Sequence, residues 1–154
     1  MGPSESDVIL EIVHLNINVR DIERSLAFYT KLGFEVMHTF GTRSENGTWE
    51  PMRFRGRDCR GVVLSLGDHP RSATKIEGIE WIDPPTTVSA PRGETESGVA
   101  RIALRTRNLL DFVQQMREQG IAFESDPIEI DVVGAKRFVL FRDPDRNLLE
   151  LIEF

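Results

Sequence analysis

Residues 12–28, IVHLNINVRDIERSLAF, and residues 99–115, VARIALRTRNLLDFVQQ, repeat one pattern of apolar and polar positions. In each stretch the alternation of apolar and polar residues predicts a strand, and the spacing that follows predicts an amphipathic helix. A glycine stands at the same offset after each stretch, Gly33 in the first copy and Gly120 in the second, and this is typical of a helix end. The chain therefore carries a duplicated strand–helix unit.

Three further strands are predicted after each strand–helix unit. In the first copy they cover residues 34–40, 61–67 and 74–82, and in the second they lie near 121–125 and over 136–142 and 148–154. The last strand of both copies has the form Glu-x-Ile-x-aromatic. The sequence therefore predicts an α+β fold of two tandem βαβββ modules, whose curved sheets surround a shared cavity.

These modules define the predicted domain organisation. The first module covers residues 8–82 and the second covers residues 99–154, and the total length of 154 residues fits one domain made of the two modules. Residues 83–98, DPPTTVSAPRGETESG, are rich in Pro, Gly, Ser and Thr. Such a composition predicts a linker arm between the modules.

Composition and charge argue against several classes of function. The net charge is −6 and no basic stripe alternates with aromatic residues, so nucleic-acid binding is not expected. No apolar run approaches the roughly 18 residues of a membrane span, so a membrane partner is not expected either. The one cysteine, Cys59, cannot form an intrachain disulfide and fits a reducing cytoplasm, which is the predicted location.

Several polar residues are predicted to face away from the helices. They are His14, Asn16, Asn18, Arg101 and Arg105 on the first strands of the modules, and Glu77 and Glu150 on the last strands. Charged groups on an inward face are costly unless they pair or bind something. A histidine with two carboxylates can hold a divalent metal such as Fe, Mn, Ni, Co or Zn, which makes His14, Glu77 and Glu150 candidate ligands.

The sequence resembles the vicinal oxygen chelate superfamily, which includes glyoxalase I, bleomycin-resistance proteins and extradiol dioxygenases. The resemblance is carried by HLNINVRDIERSLAFYTKLGFEV, by FRDPDRNLLELIEF and by the doubled module, and it covers residues from about 10 to 154. It implies a metal site with ligands from the first and last strands of each module. The matching positions here are His14, Glu77, Arg101 and Glu150.

Arg101 departs from this family pattern, because the position usually holds histidine and arginine does not coordinate metals. In one interpretation His14, Glu77 and Glu150 keep the metal, and Arg101 grips an anionic substrate oxygen or stabilises an enolate. In another, Arg101 replaces the cation and pairs with Glu77 and Glu150. In a third, Arg101 turns outward and water completes the metal shell.

The resemblance implies two functions that the sequence leaves open. One is a small-molecule lyase or isomerase acting on a vicinal-oxygen or 2-oxo substrate, with Glu150, Glu77 and Arg101 as catalytic residues. The predicted substrate-binding residues are Asn16, Arg105, Trp81 and Phe154. A dioxygenase is less favoured, because Arg101 takes the place of one histidine of its metal triad. The alternative is a metal-free binding or drug-sequestering protein of the bleomycin-resistance type, and a relative that has lost both roles is a further hypothesis.

A homodimer is the predicted assembly. The resemblance implies it, since many members of the superfamily build their cavity in a dimer. The repeat also leaves sheet edges that are unpaired within one chain, and unpaired edges favour strand pairing with another chain.

Overall fold

The computed structural model describes residues 11–41, 58–67, 74–87 and 97–154, so that residues 88–96 of the predicted linker lie outside the described part. The chain divides into two compact units. The first unit comprises Met1–Ile22 and Gly33–Pro85, and the second comprises Glu23–Leu32 and Thr86–Phe154. The first helix, α1 (Ile22–Lys31), therefore belongs almost entirely to the second unit, although the sequence repeat assigns it to the first module.

The first unit contains a four-stranded mixed sheet. Its strands are β1 (His14–Asn18), β2 (Phe34–Gly41), β3 (Asp58–Leu66) and β4 (Lys75–Asp83), in the order β1-β4-β3-β2. Strand β1 runs parallel to β4, and the other neighbours are antiparallel. In β1 Ile17 is buried while His14 and Asn16 are exposed, which confirms the predicted apolar and polar faces.

The second unit contains a sheet of the same topology. Its strands are β5 (Ile102–Thr106), β6 (Ile128–Val132), β7 (Ala135–Arg142) and β8 (Leu148–Glu153), in the order β5-β8-β7-β6, with β5 parallel to β8. Helix α2 (Leu109–Glu118) follows β5. Two mixed sheets and two helices confirm the predicted α+β class and the tandem βαβββ order.

One predicted strand is wrong. The segment near 121–125 makes only an isolated bridge, between Phe123 and Phe141, and the strand that pairs with β7 is β6 instead. Ser125 ends this segment and Asp126 and Pro127 follow it directly, and these three residue types favour a turn. The alternating run that follows them, IEIDV, forms the outer strand of a hairpin.

A glutamate on the last strand of each module caps a helix. The first backbone N–H of α1, at Ile22, donates to Glu80 Oε2 at 3.0 Å, and that of α2, at Leu109, donates to Glu153 Oε2 at 2.9 Å. A carboxylate at a helix N-terminus satisfies an unpaired donor and complements the helix dipole. The cap also fixes which face each strand presents, because Glu80, an odd number of residues from Glu77, lies on the opposite face of β4.

Helix α1 is anchored in the second unit by a buried tyrosine. The Tyr29 hydroxyl donates to Asp143 Oδ2 at 3.0 Å, and the neighbouring Phe28 ring lies 6.3 Å from that of Phe141. Asp143 is itself held by three further donors, from Asn147 Nδ2 and the backbone of Asp145 and Asn147. Burial, and then the negative charge of Asp143, raises the pKa of Tyr29 well above its usual range.

This anchor predicts a specific loss of stability in alkali. Above about pH 10 the Tyr29 hydroxyl ionises in the unfolded chain but stays protonated in the folded protein, because its pKa is raised there. The free energy of unfolding therefore falls by about 1.4 kcal/mol per pH unit in this range. Tyr29 is the single tyrosine in the chain, so tyrosinate absorbance reports on it alone. Absorbance should rise only as the protein unfolds, and Tyr29→Phe should remove this contribution to the alkaline slope. A native protein that forms tyrosinate near pH 10 would contradict the prediction.

The β6–β7 hairpin contains a strained residue. Val132 pairs with Ala135, which leaves a two-residue loop of Val133 and Gly134 with φ angles of 51° and 83°. Two positive φ angles are typical of a type I′ turn, which favours Asn before Gly. A β-branched residue is a poor choice there, and Val133 gains nothing from packing because it is 93% exposed.

Val133→Asn is therefore expected to raise the free energy of unfolding by about 1 kcal/mol, through relief of backbone strain. Urea denaturation measures the change. The matched control is Val132→Asn, which makes the same side-chain change in the neighbouring strand residue and should give no gain. Equal stabilisation by both substitutions would show that exposed apolar area, and not the turn geometry, carries the effect.

Candidate functional site

In the first unit, three predicted site residues meet on the polar face of the sheet. Parallel pairing of β1 with β4 places Asn16 opposite Glu77. Asn16 Nδ2 donates to Glu77 Oε2 at 3.0 Å, and His14 Nε2 lies 3.2 Å from the same oxygen. An amide donor and an imidazole nitrogen from β1 therefore lie at the same carboxylate oxygen of β4.

Burial differs between the two ionisable members of this cluster. The Glu77 side chain is 11% exposed, whereas that of His14 is 47% exposed. A buried carboxylate needs partners to compensate for lost hydration, and His14 and Asn16 supply them. Nε2 lies next to Glu77, and Nδ1 of this half-exposed imidazole has no hydrogen-bond partner among the described residues. This is the arrangement in which a carboxylate orients a histidine.

An apolar cluster lies on the same sheet. Phe40, Cys59 and Ile79 are buried, and Val63 and Trp81 pack against them. Trp81 Nε1 donates to Asn18 Oδ1 at 2.9 Å. The sequence pattern predicts that Asn18 lies on this face but indicates no role for it, and its spacing of two from Asn16 is the signal that points to one. Asn18 orients the indole of a predicted substrate-binding residue.

Cys59 carries no sign of reactivity. Burial raises the pKa of its thiol, and the negative charges of Asp58 and Glu77 add to the effect. The thiolate is the nucleophilic form of cysteine, so this environment disfavours a nucleophile. Cys59 is a small buried residue of the apolar cluster.

In the second unit, Arg101 and Glu150 form an ion pair. Arg101 Nε donates to Glu150 Oε2 at 2.6 Å, and their side chains are 51% and 11% exposed. Parallel pairing of β5 with β8 places Ala103 opposite Glu150, and β7 places Leu140 on its other side. Neither Ala103 nor Leu140 can donate a side-chain hydrogen bond, so Arg101 is the charged partner of this buried carboxylate.

The other predicted binding residues of the second unit also meet. The guanidinium carbon of Arg105 lies 5.0 Å from the centre of the Phe154 ring, within the range of a cation–π interaction. Each unit thus brings its own predicted site residues together: His14, Asn16 and Glu77 in the first, and Arg101 with Glu150 and Arg105 with Phe154 in the second.

The donor chemistry within each unit does not fit a metal ion. The first unit supplies one imidazole and one carboxylate, and that carboxylate oxygen already accepts a hydrogen bond from Asn16. In the second unit Arg101, which has no lone pair to offer, binds the carboxylate of Glu150. No group of three or more His, Cys, Asp or Glu side chains that could hold a metal ion occurs in the described part of the chain. The ligand set His14, Glu77 and Glu150 draws on both units and stays a prediction.

Tandem βαβββ modules with polar residues on their first and last strands define a class of proteins. Residues 11–151 match the model of the Glyoxalase/Bleomycin resistance protein/Dioxygenase superfamily, and the chain belongs to that family. This confirms the family expected from the sequence. None of the helices in the described ranges is long and apolar enough to cross a membrane.

Relatives of known sequence or structure extend over nearly the whole chain. The uncharacterized protein YwkD of Bacillus subtilis is 34% identical over 148 residues, which are 95% of this chain and 98% of YwkD. A glyoxalase family protein from Bacillus cereus has a TM-score of 0.78 at 14% identity and covers 98% of both chains. A glyoxalase family protein from Enterococcus faecalis has a TM-score of 0.67 at 26% identity, covering 93% of this chain and 97% of its own.

The Arg101–Glu150 pair predicts an asymmetric mutational response. Arg101→Ala should lower the free energy of unfolding by about 1 kcal/mol, because it leaves a buried carboxylate without its charged donor. Adding Glu150→Gln should restore most of the loss, since a neutral amide is less costly to bury. Thermal and urea unfolding measure both changes.

The matched control is Arg117→Ala, because Arg117 Nη2 pairs at 2.8 Å with Asp126, whose side chain is 88% exposed. An exposed pair contributes little, so this variant should change stability by less than about 0.5 kcal/mol. Equal losses from Arg101→Ala and Arg117→Ala would contradict the interpretation.

Proposed function

We propose that the protein is a small-molecule lyase or isomerase acting on a vicinal-oxygen or 2-oxo substrate, in which His14 transfers a proton. One observation supports this above all others. A half-exposed imidazole places Nε2 at 3.2 Å from a buried carboxylate. Histidine is the side chain that most often acts as a general acid or base, and a carboxylate beside it can orient the imidazole.

In this mechanism Glu77 is the positioning residue. In the mechanism it accepts a hydrogen bond from Nε2–H of His14, which keeps its proton, so that Nδ1 is the base. Nδ1 takes a proton from the carbon next to a carbonyl group, and the negative charge of Glu77 stabilises the imidazolium that results. In an isomerisation the imidazolium returns the proton to the former carbonyl carbon of the enediolate, and one proton moves from the hydroxyl oxygen to the former carbonyl oxygen. In a lyase reaction a substituent on the next carbon departs with its bonding electron pair and takes the proton from the imidazolium, which leaves a carbon–carbon double bond. Asn16 holds Glu77 toward His14 throughout.

In the second unit we propose that Arg101 binds an anionic oxygen of a small molecule. Glu150 engages Nε, and the terminal nitrogens of the guanidinium have no partner within the part of the chain that the structure describes. A guanidinium fixed in this way is a preorganised donor for a carboxylate or an enolate oxygen. Glu150 is then a positioning residue, which differs from the role of general base considered from the sequence.

A second candidate function is metal-free binding without turnover. The observation that favours it is the Arg101–Glu150 pair itself, because a neutral ion pair can bind a ligand with no chemical step. A homodimer and a cytoplasmic location stay predictions, and light scattering tests the former.

Hydrogen exchange separates the two functions. A panel of 2-oxo acids and 2-hydroxy ketones is incubated with the protein in D₂O, and proton NMR follows loss of the hydrogen next to the carbonyl. His14→Gln should slow exchange by about 10²-fold or more, the range of one general base. Glu77→Gln should slow it by a smaller factor. Metal content is measured first, on protein purified without chelator, and exchange is repeated with EDTA.

The control is His38→Gln, which removes an exposed histidine from β2 of the same sheet and should leave the rate unchanged. If the wild-type protein binds members of the panel but exchanges no hydrogen, the proposed enzymatic function is wrong and metal-free binding without turnover is supported. Stoichiometric metal that is lost in Glu150→Ala, with exchange abolished by EDTA, would overturn the metal-free mechanism.

A further inference from the structure

We infer that the polar face of the second sheet binds an organic carboxylate with an aromatic or apolar body, and that Arg105 takes its carboxylate group. The inference rests on the proposed function, because it names the class of small molecule that this unit holds. It is nevertheless an equilibrium property, so binding can be measured whether or not turnover occurs.

Charge is the first argument. Ala103 and Arg105 alternate along β5 and so share one face, and Arg101, directly before the strand, reaches the same face because it pairs with Glu150. Glu150, opposite Ala103, compensates one of the two guanidinium groups. The guanidinium of Arg105 therefore gives this part of the face a positive charge, although the net charge of the whole chain is −6. Such a local reversal selects an anion and disfavours a metal cation or a cationic drug.

The state of the Arg105 side chain is the second argument. Its guanidinium lies over the Phe154 ring, and within the described part of the chain no residue accepts a hydrogen bond from it. Arg117 offers a comparison, since it lies 5.8 Å from the centre of the Phe123 ring but also donates to Asp126 at 2.8 Å. Arg105 is therefore positioned by stacking while its donors remain for a ligand. A planar fork of N–H donors matches a carboxylate in a bidentate geometry.

The apolar neighbours are the third argument. The register places Ile152 opposite Arg105 on β8 and Phe138 opposite Ile152 on β7, and both are half-buried. Phe154 is 42% exposed, and Lys136 Nζ holds its backbone oxygen at 3.2 Å. A row of partly exposed apolar side chains beside a cationic group fits a ligand that is anionic at one end and apolar at the other.

Matched probes test both ends of that ligand. 3-Phenylpropionate carries a carboxylate and a ring, 3-phenylpropanamide keeps the shape without the charge, and propionate keeps the charge without the ring. Calorimetric titration, or ligand-observed NMR if binding is weak, should show wild-type protein binding 3-phenylpropionate about tenfold more tightly than either control compound. The Arg105 Nε–H resonance should shift on addition of the acid.

Variants assign the effect to Arg105. Arg105→Gln should weaken binding of the acid about tenfold and leave binding of the amide unchanged, whereas Arg105→Lys should give an intermediate loss because it keeps the charge but not the fork. The control is Arg117→Gln, which removes a guanidinium stacked on phenylalanine elsewhere in the unit and should change binding less than twofold.

Each outcome is decisive. Failure of the wild type to bind 3-phenylpropionate, equal binding of acid and amide, or equal losses in the two glutamine variants would overturn the inference. Binding through Arg105 without hydrogen exchange would leave the inference standing and remove the proposed enzyme. Hydrogen exchange that depends on His14, together with equal binding of 3-phenylpropionate and its amide, would support the proposed enzyme and overturn the inference about Arg105.

Discussion

Parallel pairing of the first and last strands of each module is the constraint on which the site residues depend. A parallel pair needs a long crossover, and the helix and two intervening strands of each module provide it. The pairing places Asn16 opposite Glu77 in one sheet and Ala103 opposite Glu150 in the other. A slip of one residue would turn both carboxylates toward the opposite face of their sheets.

Each sheet consequently buries a carboxylate that needs a donor, and the two modules meet that need differently. The Glu77 carboxylate accepts a hydrogen bond from the Asn16 amide and lies beside the His14 imidazole. The Glu150 carboxylate accepts a hydrogen bond from the Arg101 guanidinium. The fold therefore accommodates different residues at the matching positions His14 and Arg101. Both residues satisfy a buried carboxylate, so the substitution keeps the structural role while it changes the chemistry that the position offers to a ligand.

The sequence predicts the features that follow from local pattern. Alternation identifies β1, and the helix-ending glycines do adopt positive φ, 93° at Gly33 and 82° at Gly120. Strand β6 was missed because its hairpin turn lacks the usual asparagine and carries Val133 instead. Assignment of α1 to the second unit could not be predicted, since it depends on Tyr29 meeting Asp143, which lies in the other half of the sequence. The pairs His14–Glu77 and Arg101–Glu150 follow from the repeat, but their burial does not.

The exchange of histidine for arginine also divides chemical capability between the modules. An imidazole gains and loses a proton near neutral pH, so it can act as acid and base in one turnover. A guanidinium keeps its proton at every physiological pH, so it can bind an anion but cannot relay a proton. The first sheet therefore has an imidazole at the position where the second sheet has a permanent cation. The two modules share one strand order but carry different polar clusters, because Asn16 and Asn18 of the first strand also differ from their counterparts Ala103 and Arg105.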